Sequence, residues 1–162
     1  MRSGASSPEI EQVYLRRGGD FFRFALAVVG DPDLARDAVQ EGFARAIRAR
    51  SSYRGTGSLD GWLSRCVLNA ARDIAAEGVA FPARGKPASN GQALELTVPD
   101  HDLRALLRDL PARQREALFL RFYLDLDYAA IGNVLGIEIG TVSATLHAAR
   151  EQLARALQEV TP

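Results

Sequence analysis

The chain has 162 residues, 47% hydrophobic and 25% charged, with basic and acidic side chains balanced at 20 each and a formal net charge of zero. Such a composition describes one or two folded globular domains and excludes a disordered or fibrous chain. No apolar run reaches the roughly 18 residues of a membrane span, the polar start MRSGASSPEI lacks a signal peptide's apolar stretch, and the lone Cys66 forms no internal disulfide, so a reducing cytoplasm is expected.

Residues 1–8 read as a disordered leader. A helix is predicted over 9–29, with Val13, Phe21, Phe24, Ala25 and Val28 turned inward and Phe22 widening the apolar face. Gly30-Asp31-Pro32 interrupts it; Asp31 is a ready N-cap and Pro32 suits a first helical position. The second helix is predicted over 32–50, burying Leu34, Ala38, Val39, Phe43 and Ile47 and leaving Asp33, Arg36, Asp37, Gln40, Glu41, Arg45 and Arg48 to solvent or a partner. Its carboxylates come early and its arginines late, which complements the helix dipole. The polar loop SSYRGTGS at 51–58 leads into a third helix over 59–77. Trp62, Cys66, Val67, Ala70 and Ile74 form its stripe, so Cys66 reads as a small core residue. No second cysteine or histidine stands at metal-ligand spacing, and no metal is expected. Arg65, Asn69 and Arg72 lie off the stripe, and with Tyr53 in the loop they suit either single-stranded nucleic acid or an ordinary surface.

Residues 78–99, with Pro82, Pro87, Pro99, Gly78, Gly85 and Gly91 and no periodicity, read as a linker that lets two halves bind separate surfaces. Helical pattern resumes at Asp100, where Leu103, Leu106, Leu107 and Leu110 are expected to pack with Leu118, Phe122 and Leu126 in a four-helix unit. Within it, residues 127–150, DYAAIGNVLGIEIGTVSATLHAAR, have the pattern of a helix-turn-helix, or of a plain helical hairpin. Tyr128, Ile131, Val134 and Leu135 make the first stripe, Gly136 stops it, and Gly132 leaves room for a crossing helix. The next helix is predicted from about Ile139, with Thr141 as N-cap and Val142, Leu146, Ala149 and Leu153 buried. Ser143, Ala144, His147, Ala148 and Glu151 then face outward, without an arginine for bidentate contact to guanine. Residues 100–162 hold seven basic and nine acidic side chains, so tight DNA binding calls for a partner. His101 and His147 are far apart, and no nucleophile, paired-carboxylate site or phosphate-binding glycine loop argues for an enzyme or a cofactor.

Taken together, the two halves resemble the extracytoplasmic-function sigma factors of bacterial RNA polymerase. The resemblance rests on FRFALAVVGDPDLARDAVQEGFARAI and SYRGTGSLDGWLSRCVLNAARD in the first half and LPARQREALFLRFYLDLDYAAIGNVLGIEIGTVSATLHAARE in the second. It implies an all-α fold of two small helical domains, a promoter-melting domain at 9–77 and a helix-turn-helix domain at 100–162, joined by a flexible linker at 78–99. It also implies a non-catalytic initiation factor that binds core RNA polymerase and directs it to promoter DNA through −10 and −35 elements. On that resemblance Asp33, Asp37, Gln40 and Glu41 meet the clamp helices of the largest polymerase subunit, with Phe43 as internal packing. Tyr53, Arg54, Ser58, Trp62, Arg65, Asn69 and Arg72 hold the non-template strand of the −10 element, an extruded base being read in a pocket. Thr141, Ser143, Ala144, His147, Ala148 and Arg150 meet the −35 element. The chain departs from the family where basic residues commonly stand, at Ser143, Thr145 and Ala148. The linker would thread toward the active-site cleft of the polymerase, and an anti-sigma protein is a candidate partner. Two alternatives stay open: a regulator that binds duplex DNA alone, and an interaction protein that keeps the fold without promoter reading.

Overall fold

The computed structural model describes residues 4–77 and 101–160, which form seven α-helices and one 3-10 turn and contain no strand among them. The linker expected at 78–99 lies outside the described residues.

Helix α1 (Ser7–Val29) begins earlier than the periodicity predicts, because Ser6 starts it with a capping box. The Glu9 N–H donates to Ser6 Oγ at 3.3 Å, and the Ser6 N–H donates to the Glu9 carboxylate at 2.7 Å. Ser7 and Pro8, expected in a disordered leader over 1–8, are the first residues of α1. Ile10, Val13, Phe21, Phe24 and Ala25 are buried on α1, while Phe22 and Val28 sit half-buried at its edge. Helix α2 (Pro32–Arg48) starts as predicted: the Asp31 carboxylate accepts from the N–H groups of Asp33 and Leu34 at 2.9 and 3.0 Å. It stops two residues short of the expected end, where the backbone tightens into the 3-10 turn Arg50–Ser52. Ile47, expected in the core, is 42% exposed, since Ala46 takes the inward position and leaves Ile47 on the rim.

Helix α3 (Leu59–Ala76) is capped by Ser58, whose Oγ accepts from the Gly61 N–H at 3.0 Å. Only Val67 and Ala70 of its predicted stripe are buried; Trp62, Cys66 and Ile74 are half-buried, and Leu63, Ser64, Leu68 and Ala71 complete the inward surface. The stripe is wider than one face because α3 packs on α1 and α2 on one side and on the second half of the chain on the other. At the α2–α3 crossing, a Cβ on Gly42 would stand 2.6 Å from the Val67 Cα, so only glycine permits this approach.

The second half comprises α4 (His101–Asp109), α5 (Ala112–Phe122), α6 (Tyr128–Leu135) and α7 (Ile139–Val160). Leu110, Leu118 and Leu126 are buried as expected and Leu106 and Leu107 half-buried, whereas the Leu103 side chain lies outside the described residues. Phe122 departs from expectation at 57% exposure: Leu118, Phe119, Leu120 and Leu124 fill the interior, and the Arg150 guanidinium covers the outer Phe122 ring at 5.4 Å from its centroid. Helices α6 and α7 meet at a 96° bend, the geometry of a helix-turn-helix. Asp127 caps α6 through the Ala130 N–H at 2.8 Å, and Gly136 ends it at φ 69°. Gly132 is required by the turn more than by the crossing helix: a Cβ there would lie 2.7 Å from the Ile137 carbonyl oxygen but 3.6 Å from Val142. Thr141 is not the N-cap of α7. The Val142 N–H donates to the Glu138 carbonyl at 3.0 Å, so the helix begins ahead of Thr141, which lies in its first turn. Val142, Leu146 and Ala149 are buried as predicted, with Leu153 packed partly against them.

The halves are not held apart. Helix α1 packs on α5 and α3 on α6, and their buried residues form one continuous cluster. Arg115 is 8% exposed, and its guanidinium donates to the carbonyls of Ala27 at 2.7 Å, Leu110 at 3.1 Å and Arg108 at 3.2 Å. Burial pulls its pKa below the usual value, against the opposite pull of Glu116. Arg17 donates to the Leu124 carbonyl at 3.0 Å and to the Asp125 carboxylate at 2.6 Å. Arg72 pairs with the buried Glu116 carboxylate at 3.2 Å.

Candidate nucleic-acid interface

The loop between α2 and α3 is exposed except at Tyr53, whose ring lies against Trp62 with centroids 5.5 Å apart. The Tyr53 hydroxyl donates to the Gly57 carbonyl and closes the loop on itself. Burial, and then the carboxylates of Glu9 and Asp60, raise the phenol pKa above its ordinary value, so the ring stays neutral. Tyr53, Arg54, Ser58, Trp62 and Arg65 line a cleft of about 360 Å³. Its far wall is Ala130, Asn133 and Val134 on α6. Aromatic rings flanked by exposed guanidinium groups can stack bases and hold phosphates, and a base extruded into such a cleft can be read by hydrogen bonds to its edge. Asn69 and Arg72 do not line this cleft; both are exposed on α3, and Arg72 is engaged with Glu116. Asn133 was not singled out from the sequence, although a polar residue off the α6 stripe was a usable signal.

On α2, Asp33, Asp37 and Gln40 project into solvent, with Asp33 paired to Arg36 at 2.8 Å. Glu41 differs from them: it accepts from Arg45 at 2.9 Å and Arg48 at 3.2 Å, and Arg45 also reaches Asp73 at 2.7 Å. Its pKa is lowered chiefly by the Arg45 hydrogen bond. Phe43 is internal packing, its ring set edge-on to Tyr14 and Phe21 at 5.1 Å each. Beside Gln40 runs an apolar groove lined by Tyr14, Leu15, Phe22 and Val39, with Leu15 74% exposed. The sequence reading missed this groove, because Tyr14 and Leu15 fall outside the inward stripe of α1.

On α7, Thr141, Ser143, Ala144, His147 and Arg150 are exposed and Ala148 is half-buried. The charges here are engaged within the domain: His147 approaches Glu151 at 3.2 Å, Glu151 also pairs with Arg155, and Arg150 lies over Phe122. What the helix offers a groove is hydroxyl and methyl groups, which suit a donor or acceptor edge and a thymine methyl.

The first half, residues 13–77, matches the family model for Sigma-70 region 2, and residues 100–153 match that for Sigma-70, region 4. The RNA polymerase sigma-H factor of Pseudomonas aeruginosa is 33% identical over 150 residues, covering 80% of this chain and 76% of that protein. The ECF RNA polymerase sigma-E factor of Escherichia coli K12 is 30% identical over 139 residues, covering 75% and 73%. The chain belongs to the extracytoplasmic-function sigma factors. It is therefore a promoter-directing transcription initiation factor, of a class whose members are in general not enzymes. Among solved structures, the sigma factor RpoE of Bartonella quintana in complex with the anti-sigma factor NepR superposes with a TM-score of 0.71 at 26% identity, covering 93% of this chain and 97% of that one. CnrH in complex with the cytosolic domain of CnrY shares the fold, with a TM-score of 0.72 at 23% identity over 98% and 92% of the chains. Among the described residues no single helix of this sigma factor is long and apolar enough to cross a membrane.

Proposed function

We propose that this sigma factor divides initiation between its halves, with residues 9–77 as the polymerase-binding and promoter-melting domain, 78–99 as linker and 100–162 as the −35 reader. The observation that carries this reading is the cleft at the start of α3, where Tyr53, Trp62, Arg54 and Arg65 converge. A non-template base leaving the duplex finds an aromatic surface there, and the neighbouring phosphates find two guanidinium groups. Ser58 shapes the rim as the cap of α3, while Asn69 and Arg72 flank the strand further along the helix. Asp33, Asp37 and Gln40 dock on the clamp helices of core RNA polymerase, and Glu41 stiffens that face through Arg45 and Arg48. Thr141, Ser143, Ala144, His147, Ala148 and Arg150 lie on the helix that enters the −35 major groove. They include a single arginine, Arg150, drawn over the Phe122 ring, so duplex affinity depends on the polymerase. The protein works by binding alone, in the cytoplasm, without a cofactor. An anti-sigma protein is its proposed antagonist, a reading supported by the RpoE–NepR likeness.

Runoff transcription with purified core polymerase on a genomic fragment library, with and without the full chain, tests this. New start sites sharing two spaced upstream elements are expected. Core binding without new starts would leave an interaction protein. Absence of core binding would overturn the reading altogether.

A further inference from the structure

The strand-capture loop is held from a place that the promoter-binding reading does not use, the few residues ahead of α1. The Gly4 N–H donates to the Tyr53 carbonyl at 2.8 Å, and the Ala5 N–H donates to the Arg50 carbonyl at 2.9 Å. Residues 4 and 5 thus lie alongside 50–53 as a two-bond backbone brace. Ala5 is 8% exposed, so the contact is packed as well as hydrogen-bonded. Gly4 has φ +97°, and a Cβ there would stand 3.4 Å from both the Arg50 carbonyl oxygen and the Ser51 Cα. The capping box of Ser6 and Glu9 fixes the direction in which this segment leaves α1. Glu9 also bears electrostatically on the Tyr53 ring.

The loop has few other supports among the described residues. Ser51, Ser52, Arg54, Gly55, Thr56, Gly57 and Ser58 are all exposed. Gly55 takes φ 71° at the tip, and the Tyr53 hydroxyl bonds within the loop, to the Gly57 carbonyl. Apart from the brace, the Tyr53 backbone is held locally, by its own N–H to the Arg50 carbonyl at 3.4 Å in the 3-10 turn, and its ring packs on Trp62; the brace is what ties this segment back to α1. A loop already ordered when the strand arrives loses less conformational entropy on binding, which strengthens binding without adding a contact.

We infer that Gly4 and Ala5 are positioning residues: their backbone N–H groups hold Tyr53 and the strand-capture loop in the geometry that grips the −10 strand. The inference rests on the strand-capture reading of the loop proposed above. Neither residue touches the cleft, so neither is expected to contact DNA.

The test uses holoenzyme assembled from core polymerase and the full chain. Its ligands are two fluorescent single-stranded oligonucleotides, one carrying the −10 element of a promoter found by runoff and one with that element scrambled. Gly4→Val forces a side chain into a left-handed backbone against Arg50, and Ala5→Pro removes the second donor. Each is expected to weaken binding of the element-bearing strand about tenfold, leaving scrambled-strand binding and core affinity unchanged. Equal loss on both strands, lost core binding, or no change would overturn the brace, because a defect of folding or no role at all would then account for the result. A wild-type holoenzyme that binds both strands alike would sink the strand-capture reading itself, and the brace with it.

Discussion

The two candidate DNA-facing regions are built on opposite principles. At the start of α3 the side chains form a concave site, with two aromatic rings in contact, exposed arginines at the rim and a backbone tied from outside. On α7 the face is convex, carries hydroxyl and methyl groups, and has its charged side chains engaged by one another or by Phe122. The first arrangement can grip an unpaired strand by stacking and charge; the second can discriminate base edges but adds little affinity. On the assignment proposed above, that difference would concentrate promoter affinity at the melting step and leave register to the helix-turn-helix.

Several substitutions bear on that contrast. The largest effect is expected at the α2–α3 crossing, which holds the helix that carries the concave site, where Gly42→Ala drives a Cβ into the Val67 backbone. Overpacking of this kind should cost about 3 kcal/mol and lower the melting temperature by roughly 6 to 12 °C. Gly140→Ala in α7 meets no atom within 4 Å, and its thermal melt should stay unchanged or rise slightly. Comparable melts for the two variants would erase the contrast in rigidity.

Trp62→Ala should weaken holoenzyme binding to a −10 single strand by roughly ten- to hundredfold, the effect of losing one stacked base. Binding to a duplex −35 fragment should not move; titrations of both ligands decide, and a parallel loss on both would break the comparison. Ser143→Arg places a cation on the exposed reading face and should tighten −35 duplex binding. A log–log salt titration should steepen by about 0.9 if the new arginine meets a phosphate, and an unchanged slope would mean that this face does not lie on DNA.

The smallest expected effect concerns Cys66. Burial raises its thiol pKa, against the lesser pull of Arg65 and Arg45. The neutral thiol is thus favoured in the fold, so its contribution to stability is complete below the ordinary thiol pKa and fades as pH rises through the raised value. Labelling by a thiol reagent at pH 8 should be well slower than for free cysteine and should accelerate in denaturant; equal rates would show an open α3.

Much of this architecture was legible beforehand. Asp31, Gly136 and the apolar spacing of α6 and α7 mark their own boundaries, because caps and periodicity are local physics. The concave site was legible in type: Tyr53, Arg54, Trp62 and Arg65 do converge, while Asn69 and Arg72, one and two turns further along α3, do not line the cleft. The misses concern what covers a face. Ile47 and Phe122 fit an apolar stripe, yet each lies near a helix end where a neighbour fills the interior instead. The packing of the halves was invisible because it depends on arginines reaching across long sequence separations, Arg17 to Leu124 and Arg115 to Ala27. Periodicity shows that an arginine is off the stripe but not which distant carbonyl it will find. The backbone brace escaped for a similar reason, since Gly4 and Ala5 carry no side-chain signal for the hydrogen bonds they donate.

The far wall of the cleft gives α6 a second property. Ala130, Asn133 and Val134 belong to the helix-turn-helix, yet they bound the space into which a melted base would go. An occupant large enough to fill that space touches both halves at once, so its affinity depends on how they sit. Thermodynamic reciprocity then requires that the arrangement of the halves depend to the same degree on whether the cleft is filled. If the cleft takes the −10 strand as proposed, strand capture and helix-turn-helix placement are linked variables, and filling the cleft would itself be a signal to the helix-turn-helix.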